Sequence, residues 1–240
     1  MFHTDPFSLI IVFVGMSLLP FVAMIATSYL KIVVVMSLIR NALGIQSIPP
    51  NMVINALAMI LTFYIMAPCA QESWEILRAE DAKAKLEART TPAAAKPQAA
   101  TMAVDEPTIF AHSSAFAAAA EPFRTFLSQR TSDRERAFFM HTAERLWAED
   151  PDEPATVDPN SFYILLPSFC VSELTKAFQI GFLVYLPFIA IDIIVSNILL
   201  AMGMMMVSPV TISLPFKLLL FVMVNGWTLL IQGLVRGYTI

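Results

Sequence analysis

Charged residues are scarce in this 240-residue chain, since Asp, Glu, Lys and Arg make up 14% of it while hydrophobic residues make up 57%. A soluble domain usually has about 25% charged residues. The shortage excludes an ordinary water-facing surface over most of the chain. The charges are also unevenly placed, because 26 of the 34 lie in Glu72–Asp158. The sequence therefore consists of an apolar block, a charged insert and a second apolar block, the pattern of a helical membrane protein.

Residues that carry chemistry are few as well. The three histidines, His3, His112 and His141, have no metal-ligand spacing with each other or with cysteine. There is no Gly-rich phosphate loop and no nucleophile elbow, so we expect neither an enzyme nor a cofactor or metal site. The sequence has no basic patch of the kind that binds nucleic acid, so we do not expect a nucleic-acid partner. The two cysteines, Cys69 and Cys170, flank the insert; a disulfide in an oxidising compartment and two small buried thiols both remain open.

The uncharged runs are long enough for membrane helices, which need about 20 apolar residues. They cover Phe7–Leu30, Met52–Ala70, Ala177–Ile191, Ile193–Phe216 and Leu218–Val235. We predict an all-α fold with four hydrophobic helices, two before the insert and two after it. The first run has no basic segment ahead of it and no clear cleavage site, so we interpret it as a retained helix rather than a signal peptide.

The placement of positive charge predicts an orientation. Lys31 and Arg40 fall in the predicted link between the first two helices, which carries no acidic residue. The positive-inside rule puts such a link in the cytoplasm. The acidic insert of this multi-pass protein is then outside, in the periplasm if the protein comes from the inner membrane of a Gram-negative bacterium. Arg236, on the outer side in this arrangement, is an exception to the rule.

The insert has helical and linker portions. Glu72–Arg89 is rich in Ala, Glu, Lys and Leu, and we expect it to continue the second hydrophobic helix. Thr90–Thr101 is an Ala/Pro linker that we expect to be disordered. Ser132 and Glu135 fit a capping box at the start of an amphipathic helix. We therefore divide the chain into an N-terminal hairpin (1–71), a charged helical insert (72–160) and a C-terminal hairpin (161–240), leaving the fold of residues 90–130 open.

Two polar sites inside the apolar blocks are candidates for function. Asp192 follows Pro187 and lies 16 residues from Lys176, roughly 24 Å along a helix, so its partner must come from another helix or another copy. Asp192 is a member of a structural ion pair, a member of a proton relay or a residue that faces a water-filled pore. Glu173 and Lys176 form an i,i+3 pair, which is either a local salt bridge or a contact with an adjacent subunit.

Three consecutive methionines, Met204, Met205 and Met206, lie between Gly203 and Pro209. Adjacent residues on a helix point about 100° apart, so the three cannot face one partner from a helix. The Gly and Pro bounds favour a loop. Core filling remains one interpretation; a soft apolar constriction, formed when the loop repeats around an axis, is the other.

Two long motifs in the second apolar block resemble those of a known family. Leu166–Phe182 (LPSFCVSELTKAFQIGF), and Pro215–Val224 followed by Asn225–Trp227, resemble the two signatures of the SctR/FliP family, the export-gate proteins of type III secretion systems. The N-terminal block also fits, with Tyr29–Ile32 and Arg40–Gly44 ahead of a Pro-Pro turn. The sequence after the methionines, Val-Ser-Pro, is more similar to the virulence (injectisome) branch.

The resemblance implies a structural pore subunit rather than an enzyme. Five copies would form a helical, ring-like assembly with SctS-like and SctT-like subunits and a SctU-like switch protein, and unfolded secreted proteins would pass through its centre. Met204–Met206 would form a methionine gasket, and the apolar helices would be bent hairpins stacked around the axis. The candidate polar contacts between subunits or within the membrane are Lys31, Arg40, Glu173, Lys176, Asp192 and Lys217.

Two rival functions follow from other features. A secondary transporter or proton channel would use Asp192 inside the membrane. A membrane anchor would use the charged insert to bind a partner.

Overall fold

The computed structural model describes residues 6–45, 48–90, 117–148 and 156–238. Every regular element in those ranges is an α-helix, which confirms the predicted all-α fold. The helices are α1 (Pro6–Ile25), α2 (Tyr29–Ala42), α3 (Asn51–Thr90), α4 (Glu121–Arg130), α5 (Asp133–Leu146), α6 (Phe162–Ala201), α7 (Pro209–Met223) and α8 (Gly226–Arg236). Residues 91–101 of the predicted Ala/Pro linker, together with His3 and His112, lie outside the described residues.

The chain divides into two compact units, one of residues 1–66 and 130–240 and one of residues 67–129. The first unit contains the hydrophobic core. Helix α2 supplies it with Ile32, Val35, Met36 and Ile39, which recur at the spacing of one helix face. The buried residues contributed by the other helices are Ile54, Ala58, Ala177, Phe188, Phe221, Leu230 and Leu234. The three-part division made from the sequence stays a prediction.

Helices α2 and α6 pack closely because Gly181 has no side chain. A Cβ atom built on Gly181 would lie 2.3 Å from Leu38 Cδ1 and 3.2 Å from Leu38 Cβ. Real Cβ atoms do not approach other atoms so closely, so this crossing depends on the glycine. The approach also brings the polar residues of α6 within reach of α2.

In the second unit, α3 runs through residues 67–90 without a break. The predicted continuation of the second hydrophobic helix into the insert is therefore confirmed. On this helix the Arg78 guanidinium lies 5.2 Å from the Trp74 ring centre, a cation–π contact one turn apart. Helix α4 buries Pro122 and Leu127 in the same unit.

The first predicted hydrophobic helix, over Phe7–Leu30, is broken in the structure. Helix α1 ends at Ile25 and α2 begins at Tyr29, and the two axes differ by 58°. Lys31 and Arg40 therefore lie in α2 and not in a link between helices, which makes the predicted link wrong. The physical reason is the regular apolar face of α2, whose burial outweighs the cost of two charges that find partners. The charges used for the orientation thus belong to a packed helix, and Lys31 is buried.

The last uncharged run, Leu218–Val235, is also divided between two helices. Helix α7 ends at Met223, Asn225 adopts the left-handed conformation with φ 51°, and α8 begins at Gly226. The two helices are bent by 59°. A Cβ at Gly226 would lie 2.2 Å from the Phe221 ring, so the elbow requires glycine. Among the described residues, α3 over Asn51–Glu80 and α6 are each long and apolar enough to cross a membrane, and the two bent pairs raise the number of spans to as many as four.

Candidate functional site

The three methionines lie in a loop, as their spacing favours. The loop leaves α6 through Gly203, whose φ of 74° suits a residue without a Cβ, and ends where Pro209 begins α7. The side chains of Met204, Met205 and Met206 are 42%, 82% and 101% exposed. Three large apolar side chains thus project from the tip of a helical hairpin.

A polar cluster joins the two helices of that hairpin. Lys217 Nζ on α7 lies 2.6 Å from Asp192 Oδ2 on α6, and Ser213 Oγ donates to Asp192 Oδ1 at 2.5 Å. Lys217 Nζ also donates to the carbonyl of Ala42 at the end of α2, at 3.3 Å. We call Asp192, Ser213 and Lys217 the Asp192 cluster. Asp192 therefore finds its partner on another helix of the same chain.

The Asp192 cluster constrains the loop above it because its charges are costly to separate. Lys217 is only 3% exposed. A buried cation left without its carboxylate costs several kcal/mol, more than a single hydrogen bond contributes. The pair therefore fixes the stagger of α6 against α7, and the Ala42 carbonyl adds α2 to the same contact. This arrangement positions the methionine tip.

A second polar cluster lies further toward the start of α6, around Glu173. This carboxylate is completely buried, and its Oε2 lies 3.0 Å from Lys31 Nζ on α2. Its Oε1 lies 3.2 Å from Lys176 Nζ, so the i,i+3 pair forms a local salt bridge, while a contact with an adjacent subunit stays a prediction. The Tyr238 hydroxyl also donates to Oε2. We call Lys31, Glu173, Lys176 and Tyr238 the Glu173 cluster.

Arg130 connects the Glu173 cluster to the last described turn of the chain. Its guanidinium donates to the carbonyl of Gly237 at 2.8 Å and to that of Tyr238. Its own carbonyl accepts a 2.6 Å hydrogen bond from Lys176 Nζ. Lys31 Nζ lies 3.7 Å from the centre of the Tyr238 ring, a close cation–π contact. Burial, together with the Glu173 carboxylate, raises the pKa of Tyr238, so its hydroxyl stays a neutral donor.

Sequence reasoning identified the charged members of both clusters but not their neutral and distant partners. Ser213 and Tyr238 carry no recognisable signal, and Arg130 was one cation among ten in the charged insert. Arg40, named with the same group, lies in neither cluster. Its Nη1 donates to the Pro49 carbonyl at 3.4 Å and to the Asn51 side chain.

The predicted capping box is wrong, because the Ser132 side chain makes no hydrogen bond to the backbone N–H groups at the start of α5. Ser132 is the N-cap of α5, but its backbone N–H donates to Ser172 Oγ at 2.9 Å and is not available to Glu135. The Ser132 side chain instead bonds to Glu135, which lowers the pKa of that carboxyl. The bond to Ser172 anchors the start of α5 on α6.

The two cysteines are the remaining candidates named from the sequence. Cys69 and Cys170 are both free thiols in the structure. Within the described ranges, no three His, Cys, Asp or Glu side chains are close enough to hold a metal ion.

Comparison with known proteins places the chain in a family. The model of the FliP family matches residues 12–234. The chain is 46% identical to the Yop proteins translocation protein R of Yersinia pestis over 234 residues, 98% of this chain and 97% of that protein. It is 43% identical to the hypersensitivity response secretion protein HrcR of Ralstonia nicotianae over 231 residues, 96% of each. It is 40% identical to the virulence protein YscR of Salmonella typhimurium over 238 residues, 98% of each.

These matches span almost the whole of both chains, including α6, the methionine loop and both elbows. They agree with the two long motifs in the sequence. The chain therefore belongs to the FliP family, whose members are structural components of the type III secretion apparatus and not enzymes.

Proposed function

We propose that this chain is a structural pore subunit of the type III secretion export gate, through which unfolded secreted proteins cross the bacterial inner membrane. The observation that carries the proposal is the Met204–Met206 loop, which is apolar, exposed and mounted on a hairpin fixed by the Asp192 cluster. Methionine is flexible and polarizable, so a ring of such tips can close around itself and reshape around variable cargo.

Assembly into a ring supplies the cover that these methionines lack in a single chain. Five copies around an axis, with SctS-like and SctT-like subunits, would bring the tips together as a gasket. A SctU-like switch protein would contact the assembly near its entrance. The chain also exposes apolar side chains along α6 for such contacts: Val171, Phe178, Phe182, Leu183, Leu186, Ile193, Ile194 and Ile198.

The rival transporter function uses Asp192 as a proton carrier. The contacts of Asp192 support a structural role instead, since the carboxylate already accepts from Lys217 and Ser213 on α7. A relay needs an acceptor that changes partners along a wet path. The anchor function uses only the insert and gives no role to the methionine loop.

The gasket is tested by changing Met204, Met205 and Met206 together to Ala in the assembled complex. The closed pore loses three large side chains per copy, so the leakage of small ions through reconstituted vesicles should rise several-fold. Changing Met52 and Met223 to Ala provides the matched control, because both are exposed methionines, 82% and 73%, outside the loop. Leakage equal to that of the unchanged complex, with assembly intact, would overturn the gasket role.

A further inference from the structure

The elbow between α7 and α8 has two clefts that share walls. The first, of about 490 Å³, lies between α6, α7 and α8 and is lined only by apolar residues and glycines, among them Val184, Pro187, Leu229 and Gly233. This volume falls within the roughly 300–1,000 Å³ typical of small-ligand sites. The second cleft, of about 420 Å³, lies between the end of α2 and the start of α8. Both clefts are lined by Phe221 and Gly226.

The second cleft carries a positive charge without a counter-charge. Arg40 lines it, and among the described residues no carboxylate lies within ion-pair distance of its guanidinium. Lys31, Lys176 and Lys217, by contrast, each pair with a carboxylate. The Nε of Arg40 is buried and has no hydrogen-bond partner in the described chain. The Arg40 guanidinium donates to neutral oxygens of Pro49 and Asn51 but has no counter-charge, so the cleft favours an anion.

The start of α8 adds to the positive potential of the same cleft. Asn225, Gly226, Trp227 and Thr228 line the cleft, and the N-cap Asn225 makes no side-chain cap bond. The positive end of the α8 dipole therefore acts on the same space as Arg40. Asn225 and Thr228 are exposed there and offer polar side chains. This cleft therefore adds a cation and two polar side chains to a largely apolar lining, whereas the neighbouring cleft is lined only by apolar residues and glycines.

We propose that the elbow binds one anionic phospholipid, with its phosphate against Arg40 and the start of α8 and an acyl chain in the apolar cleft. A phospholipid is the ligand whose anionic and apolar parts are adjacent, as these two clefts are. A carboxylate from a neighbouring subunit would balance Arg40 but would leave the apolar cleft open. Bound lipid would hold the 59° elbow by filling both of its sides.

The first test measures lipid binding to the purified complex. Dioleoyl phosphatidylglycerol is added to delipidated complex, and the bound molecules are counted by native mass spectrometry. Arg40→Gln should weaken binding about tenfold or more, since it removes a charge-assisted contact. Arg236→Gln is the matched control, because this exposed arginine lines neither cleft, and it should bind as the unchanged complex does. Equal binding by the unchanged, Arg40→Gln and Arg236→Gln complexes would overturn the proposal.

The second test needs no variant and remains decisive if Arg40→Gln fails to assemble. A phosphatidylglycerol with a photoreactive diazirine in its acyl chain is mixed with the unchanged complex, illuminated and mapped by peptide mass spectrometry. Labels should lie in residues 180–188 and 229–234. Labels that lie elsewhere on the chain, or a cleft occupied by a peptide of a partner subunit, would overturn the lipid assignment.

Discussion

At the scale of single residues, the charges of the apolar blocks act as connectors between helices. Asp192 joins α6 to α7, and Glu173 joins α6 to α2 and to Tyr238. Each carboxylate accepts from more than one donor. Desolvation makes the buried Glu173 carboxylate and the buried Lys217 ammonium unfavourable unless they are paired, and these contacts pair them. A change in one partner therefore affects several helices.

If Asp192 has a structural role, a second substitution at Lys217 should rescue Asp192→Asn, whereas a transport role excludes such a rescue. Asp192→Asn leaves Lys217 buried and unpaired, which costs about 3–5 kcal/mol and should reduce the amount of assembled complex. Adding Lys217→Met removes the stranded charge and should restore much of the assembly and secretion. The measurements are the yield of intact complex and the secreted protein. If Asp192→Asn complexes assemble normally and the double variant still does not secrete, Asp192 acts in transport.

The Tyr238 hydroxyl makes a second prediction at this scale. Tyr238→Phe deletes one donor to the buried Glu173 carboxylate and should lower stability by about 1.5–3 kcal/mol, as expected for a hydrogen bond to a charged group. Tyr163→Phe changes an exposed tyrosine and should have an effect within about 0.5 kcal/mol. Thermal unfolding of the purified complex compares the two. Equal effects would show that the Tyr238 hydroxyl does not support Glu173.

At the scale of helices, the decisive features are close crossings and elbows. Helix α2 approaches α6 at Gly181, and α7 turns into α8 at Gly226. Both positions place a neighbouring side chain where a Cβ would be. The hairpin of α6 and α7 then presents the methionine tip in one fixed orientation. Close packing leaves little room to absorb extra volume in such places.

Two glycine substitutions should change the stability of the chain in opposite directions. Gly181→Ala forces its Cβ against Leu38 and should destabilise the chain by about 1–3 kcal/mol. Gly233→Ala, in the middle of α8, meets nothing within 4 Å and should stabilise by roughly 0.5–1 kcal/mol through helix propensity. Thermal unfolding of the two complexes measures both changes. A stable Gly181→Ala complex would show that α2 and α6 can separate without cost.

At the scale of the whole molecule, orientation in the membrane follows from the placement of the insert. The predicted orientation was based on Lys31 and Arg40 through the positive-inside rule. Lys31 is paired with Glu173 inside the first unit, so one of these two cations no longer supports that orientation. The periplasmic position of the insert therefore needs a direct test.

Cysteine labelling provides that test. In a chain with Cys69 and Cys170 replaced by Ala, Asp133→Cys on α5 should react with a membrane-impermeant maleimide added to the periplasmic side of spheroplasts. Met52→Cys, exposed at the start of α3, should react only after the membrane is permeabilised. Both positions are exposed in the chain, so access depends on the side of the membrane. The reverse labelling pattern would place the insert in the cytoplasm.

Local pattern alone determined the helical class, the continuation of α3 through the insert and the methionine loop between α6 and α7. Each depends on neighbouring residues: apolar runs, helix formers, and a glycine and a proline that bound the loop. It also singled out Glu173, Asp192 and their nearby lysines, because charges in apolar runs are conspicuous. These inferences needed no knowledge of contacts distant in sequence.

Only the tertiary structure decided which groups meet and where the helices bend. Lys31 pairs with Glu173, and Arg130 holds the carbonyl of Gly237, across more than 100 residues of sequence. The elbow at Asn225 interrupts a run that is uniformly apolar in sequence. Burial energy depends on which surfaces are brought together, and a hydrophobic run is equally apolar whether it continues straight or turns. The pattern therefore identifies the membrane helices and the methionine loop, while the contacts that fix their positions arise only in the folded chain.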